Sequence, residues 1–149
     1  MADSPRSLSR STVINASPET VFDLLADPRA HPRFDGSGTV AGRVAGPARL
    51  GPGSSFGMVM RIGLPYLIRN TVVEYDENRL LAWQHFGHHR WRYELEPLQG
   101  GTKVTETFDW STSRWPWLLE AGRVPAINAG SIKKTLARLK ELVEGTGTD

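Results

Sequence analysis

Two hydrophobic periods divide the chain. Apolar residues recur every three or four positions from Ser17 to Phe34 and again from Pro125 to Gly145, whereas between Thr39 and Trp110 they alternate. The last segment is the most regular. Ile132, Leu136, Leu139 and Val143 fall at i, i+4, i+7 and i+11 with Leu142 alongside, which predicts a long helix with one apolar stripe. Lys133, Lys134, Arg138, Lys140, Glu141 and Glu144 occupy its other side. Its N-terminal turns carry small or polar groups instead, Asn128, Gly130, Ser131 and Thr135, so the C-terminal half reads as core and the N-terminal half leaves space.

Earlier in the chain, the stretch from Leu8 (LSRSTVINA) alternates as a strand and ends at Ser17-Pro18-Glu19. That triplet is a helix start: a serine cap, a proline in the first turn and an acid at the positive end of the dipole. The helix is expected to run to about Ala26, with Val21, Leu24 and Leu25 inward and Phe22 at the edge. Asp27-Pro28 stops it, and a second short helix, Ala30 to Phe34, closes at Asp35-Gly36 and Gly38. Six strands follow, near 39–44, 54–62, 66–76, 80–86, 89–96 and 102–110, separated by Gly, Pro, Asp and Asn turns too short for anything but antiparallel neighbours.

One face of this meander is dry (Phe56, Met58, Met60, Ile62; Trp91, Tyr93, Leu95; Val104, Phe108, Trp110) and the other wet (Arg90, Arg92, Glu94, Lys103, Thr105, Thr107, Asp109). Turn length leaves open whether Trp83 or Gln84 faces the dry side. A dry face needs a cover, and the long helix is the amphipathic element available. The expected fold is therefore α+β: a seven-stranded curved antiparallel sheet around a long C-terminal helix, with two short helices after strand one. Residues 8–145 form one domain in this reading, with loose ends at 1–7 and 146–149.

The order strand, two short helices, six meandering strands and long helix resembles the helix-grip fold of the START-like, or Bet v 1-like (SRPBCC), superfamily. SPETVFDLLADPRAHPRF, HRWRYELEPLQGGTKVTETFDW and KKTLARLKELVE are similar to its bacterial polyketide cyclase/dehydrase branch. The resemblance implies a deep, largely apolar cavity between sheet and helix that takes lipids, sterols, polyketides or hormones. Positions where aromatase/cyclases of this superfamily carry a cavity arginine and a helix asparagine fall on Val72 and Thr135 here. The loop of their tyrosine reads Asp35, Gly36, Ser37.

Within that frame Glu106 is the most informative residue, because alternation puts it on the face of Val104, Phe108 and Trp110, and burial raises a carboxyl pKa into the range of a general acid or base. Tyr93, on the neighbouring strand, is its expected partner. Both are candidate catalytic residues. The expected ligand wall comprises Met58, Met60, Ile68, Asn70, Trp91, Tyr93, Glu106, Phe108 and Trp110 from the sheet. Trp117 joins it from the link, and Ile127, Asn128, Ser131, Ile132 and Thr135 from the helix. Asn70 is favoured over Arg69 because it shares the face of Ile68 and Val72. The segment around Trp115, Trp117, Leu118 and Leu119 serves as a lid, a contact between subunits or core.

Composition narrows the function. The 149 residues carry a net charge of only +2, spread along the chain, which argues against a nucleic-acid partner. The absence of cysteine excludes disulfides and thiol chemistry. No run reaches the ~18 apolar residues of a membrane span, and the polar start MADSPRSLSR lacks a signal peptide, so a cytoplasmic protein without stable membrane insertion is expected. His85, His88 and His89 straddle a turn with no carboxylate in the cluster and read as solvated, so no metal is expected. GPARLGPGSS lacks the Lys-Ser/Thr ending of a phosphate loop. The expected function is cofactor-free binding of a hydrophobic, lipid or polyketide-like molecule by a monomer or homodimer. A cyclase/dehydratase, or a regulatory partner using the Trp115/Trp117 edge, is the alternative.

Overall fold

The computed structural model describes residues 6–37 and 40–145. The expected loose ends at 1–5 and 146–149, the Gly38 turn, the strand start at Thr39 and the side chains of residues 40–43 and 62 lie outside the described residues. In chain order the elements are β1 (Ser7–Ile14), α1 (Pro18–Leu25), a 3-10 turn (Pro28–Ala30), α2 (His31–Phe34), β2 (Val40–Ala45), β3 (Ser55–Ile62), β4 (Leu64–Asp76), β5 (Leu80–Gln84), β6 (Arg90–Leu98), β7 (Gly101–Asp109), α3 (Pro116–Ala121) and α4 (Val124–Gly145). The seven strands form one antiparallel sheet in the order β1-β7-β6-β5-β4-β3-β2. The chain returns β7 to the side of β1, so the first and last strands pair along their whole length, from Ser7 with Asp109 to Ile14 with Thr102. Arg6 and Ser7, assigned to a loose end by sequence, are held there: the Trp110 N–H donates to the Arg6 carbonyl at 3.0 Å.

α1 starts as its cap residues dictate, with the Ser17 hydroxyl accepting the Thr20 N–H at 3.2 Å. Its buried face is Val21, Phe22 and Leu25, with Leu24 half-buried. Phe22 is thus core rather than edge, because the chain folds back over it: Tyr75 meets its ring edge-on at 5.7 Å and the Arg49 guanidinium lies 5.5 Å from its centroid. The outer sheet face also differs from the fully wet surface expected. Thr105 and Thr107 are buried, and Thr107 shares a 2.7 Å hydroxyl bond with Ser9. Arg92, register partner of Thr107, lies across the strands and bonds Glu74 at 2.7 Å and Asp109 at 3.2 Å. Long arginine stems cover the small hydroxyls beneath them.

The apolar stripe of α4 is buried as its period requires, through Ile132, Leu136, Leu139 and Val143. α4 packs principally on β1 and β7. The inner faces of β3 to β6 are therefore left partly uncovered beneath its N-terminal half. No helix among the described residues is long and apolar enough to cross a membrane.

Candidate functional site

A cavity of about 330 Å³ fills that gap. Its floor is the inner sheet face, where Met58, Met60, Ile68, Asn70, Trp91, Tyr93 and Glu106 all stand at inward positions. Its roof is α4, through Ile127, Asn128, Ser131, Ile132 and Thr135. Tyr66 and Ile127 line the cavity yet are 40% and 64% exposed, which places the mouth between the β3–β4 hairpin and the start of α4.

Three residues expected on the wall lie elsewhere. Phe108 is wholly buried behind it, packed on Trp91 at 4.8 Å, His89 at 5.4 Å and Trp110 at 5.4 Å. Trp110 is core, and its indole N–H donates to Glu120 of α3 at 2.8 Å. Trp117 is 63% exposed on α3, a helix with no buried residue. Alternation assigned the correct face to Phe108 and Trp110, but that face is longer than the cavity, and its far end is sealed.

The structure resolves one choice left open and adds wall residues that were not expected. The pairing of Trp83 with Trp91 turns Trp83 inward, while Gln84 stays outside against Arg90. His31 stacks on Trp83 at 4.9 Å and meets Phe56 edge-on at 5.2 Å. Its Nε2–H donates to the Leu25 carbonyl at 2.8 Å, and burial pushes its pKa down to about 4, so the ring is neutral. Phe34, Asp35 and Ser37 complete that side. His85 and His89 are not the solvated turn expected. His88 adopts a left-handed backbone (φ 64°) and its N–H returns to the His85 carbonyl at 2.9 Å, folding the two flanking rings together at 4.4 Å. Both line the cavity, and burial lowers both pKa values, that of His89 to about 4. Among the described residues no three His, Asp or Glu side chains come together as a metal-binding group.

Glu106 is the electrostatic centre. It is 3% exposed, and its register partner Tyr93 gives it a side-chain hydrogen bond. Its Oε1 has no partner at all. Burial raises the carboxyl pKa to about 8, the Tyr93 hydroxyl opposes that rise and the charge of Asp35 adds to it. The Tyr93 hydroxyl is driven well above its ordinary value, by burial first and by Glu106 second. At neutral pH this corner holds a carboxyl group largely in its acid form, a phenol and neutral imidazoles, set in a wall of Met, Ile, Phe and Trp. Such a group can exchange a proton or a hydrogen bond with a bound molecule.

The comparisons agree with this architecture. A Nitrosomonas europaea protein, NE0264, superposes with a TM-score of 0.73 at 17% identity, over 99% of both chains. The AHSA1-like protein of Aeromonas hydrophila gives 0.64 at 21%, covering 96% of this chain and 95% of that one. At such identities the likeness is one of fold. By sequence, the uncharacterized protein Rv0088 of Mycobacterium tuberculosis H37Rv is 40% identical over 143 residues, which are 92% of this chain and 64% of that protein. The family model described as polyketide cyclase / dehydrase and lipid transport matches residues 5–144, the span that carries sheet, cavity and covering helix alike. The chain belongs to that family.

Proposed function

We propose that the protein binds a small hydrophobic molecule, lipid or polyketide-like, in the cavity between the sheet and α4. The observation that carries the reading is an apolar wall that closes on one buried carboxyl group with a free oxygen, Glu106 Oε1. Met58, Met60, Ile68, Trp91 and Ile132 offer apolar area worth ~25 cal/mol per Å² covered, and Glu106, Tyr93, Asn70 and Asn128 fix orientation. A volume of about 330 Å³ lies at the small end of the ~300–1,000 Å³ range of small-molecule pockets, which suits a single ring system or short chain. Native mass spectrometry beside the denatured mass, with an organic extract of the same sample, tests this. A released apolar compound is the expected result. A spectrum unchanged across a panel of single-chain lipids and aromatic polyketides overturns it.

The second reading is a cofactor-free cyclase/dehydratase in which Glu106 and Tyr93 move protons on the bound molecule. It is favoured by a carboxyl whose pKa of about 8 lies near neutral pH, where general acid and base catalysis is most effective. Glu106→Gln separates the two. A binder keeps its affinity within about tenfold, the worth of one hydrogen bond, whereas an enzyme loses about 100-fold or more in turnover.

A further inference from the structure

Among the described residues the cavity wall contains no lysine or arginine. It contains two carboxyl groups, Asp35 and Glu106, and three histidines, His31, His85 and His89, which burial keeps neutral. The rest is uncharged: the rings of Phe34, Tyr66, Trp83 and Trp91, aliphatic side chains, and the amides and hydroxyls of asparagine, serine and threonine. An anion entering here brings a charge into an apolar space beside two acids with nothing to neutralise it, and that is strongly unfavourable. A cation meets the opposite: a buried carboxyl oxygen without a partner, and aromatic faces that attract positive charge.

Resting on the binding role proposed above, we infer that the ligand is a hydrophobic amine, an apolar frame of about ten to fifteen non-hydrogen atoms whose ammonium pairs with Glu106 Oε1. The groups around that carboxyl leave the place open. On β6, Tyr93 donates to it without charge. On β1, its register partner Arg10 is exposed and donates to the Ser9 carbonyl at 2.6 Å. From the segment after α2 comes Asp35, a like charge, with its carboxylate held by the Ser37 hydroxyl at 2.5 Å and its carbonyl capped by Arg138. α4 presents polar groups without charge, the amide of Asn128 and the hydroxyls of Ser131 and Thr135, the latter accepting the Gly36 N–H at 2.8 Å. The proton balance is simple. An ammonium enters and Glu106 releases its proton to solvent, or a neutral amine enters and takes that proton, and both routes end in the same ion pair.

Three probes of one shape decide the matter by calorimetry: 2-naphthylmethylamine, 2-naphthylmethanol and 2-naphthoic acid. The amine is expected to bind at least about tenfold tighter than the alcohol at pH 8, and the acid weakest. Amine affinity should climb by up to about tenfold per pH unit between pH 6 and 8, as Glu106 gives up its proton more readily, while the alcohol stays flat. In Glu106→Gln the amine and the alcohol should converge to within about threefold. If that variant does not fold, the pH series on the unmodified protein carries the same test. An acid that binds as well as the amine, or an amine with no pH dependence, overturns the ligand class and leaves the cavity as a binding site. No heat from any of the three sinks the binding reading itself, and the ligand class with it.

Discussion

Glu106 shows how much one side chain is shaped by its place. The carboxyl binds its proton up to about pH 8 in the folded protein, whereas in the unfolded chain it releases it near 4.5. Between those values the folded state holds more protons than the unfolded one, so this group's contribution to stability is complete below pH 4.5. It is lost as pH rises towards 8, by ~1.4 kcal/mol per unit. Glu106→Gln removes the titration while keeping the shape. Urea denaturation is expected to find the variant within about 1 kcal/mol of the parent at pH 5, and at pH 8.5 more stable than it by about 2 kcal/mol or more. The same difference at both pH values would mean that water reaches the carboxyl. Its inward position was legible from alternation alone, and so was Asn70. His31 was not, because a 3-10 turn followed by one turn of helix is too short to display a period, and its orientation is set by the Leu25 carbonyl and the Trp83 ring. Asp35 and Ser37 escaped for the same reason, being loop residues placed by what they dock against.

At the level of elements, the cavity depends on how α4 is held above the sheet. Its stripe and its small-residue half were both legible in the sequence, since each is a property of one continuous period. The clamp at its middle was not. Gly36, just after α2, sits so close to α4 that an added Cβ would stand 2.5 Å from the Ser131 carbonyl oxygen, 2.6 Å from Lys134 Cβ and 2.7 Å from the Thr135 nitrogen. These are mainly backbone atoms and cannot swing aside. Gly36→Ala must push α2 and α4 apart and stretch the 2.8 Å bond from the Gly36 N–H to Thr135 Oγ1, at a cost of about 1–3 kcal/mol. A thermal unfolding midpoint equal to that of the parent would show that the helix can shift freely and that the cavity has no fixed roof. The link from β5 to β6 teaches a complementary lesson. Turn residues marked its position, yet the choice between Trp83 and Gln84 rested on a five-residue connection whose fold is decided by His88 in a left-handed conformation.

For the whole molecule, the sheet order and covering helix were legible because they follow from burying one face. The split of that face into sealed core and open cavity was not, because alternation treats Phe108 and Trp91 alike, while in the fold the rings of His89, Trp91 and Trp110 close over Phe108. The consequence is a domain whose titratable groups gather around the cavity, and their sum sets its pH response. His31 and His89 stay neutral in the fold down to about pH 4 but take up protons near 6.5 when unfolded. Between pH 4.5 and 6.5 the unfolded chain therefore holds two extra protons at these histidines, and His85, also lowered by burial, adds to them, while the folded state holds one at Glu106. The net excess, at least one proton, lies with the unfolded chain, so stability rises with pH by ~1.4 kcal/mol per unit or more. Above 6.5 the histidine contributions are complete and Glu106 alone remains, so stability falls until about pH 8. The Glu74 carboxylate, held low by hydrogen bonds from Arg92 and Arg90, and that of Asp109, which burial raises but Ser111 and Arg92 bring lower, act only below this window. A melting temperature followed from pH 4.5 to 8.5 is expected to peak near 6.5. In Glu106→Gln the alkaline limb should flatten while the acid limb remains. A profile already flat in the parent would contradict the burial of all three groups, and with it the dry, cation-free cavity on which the proposed binding rests.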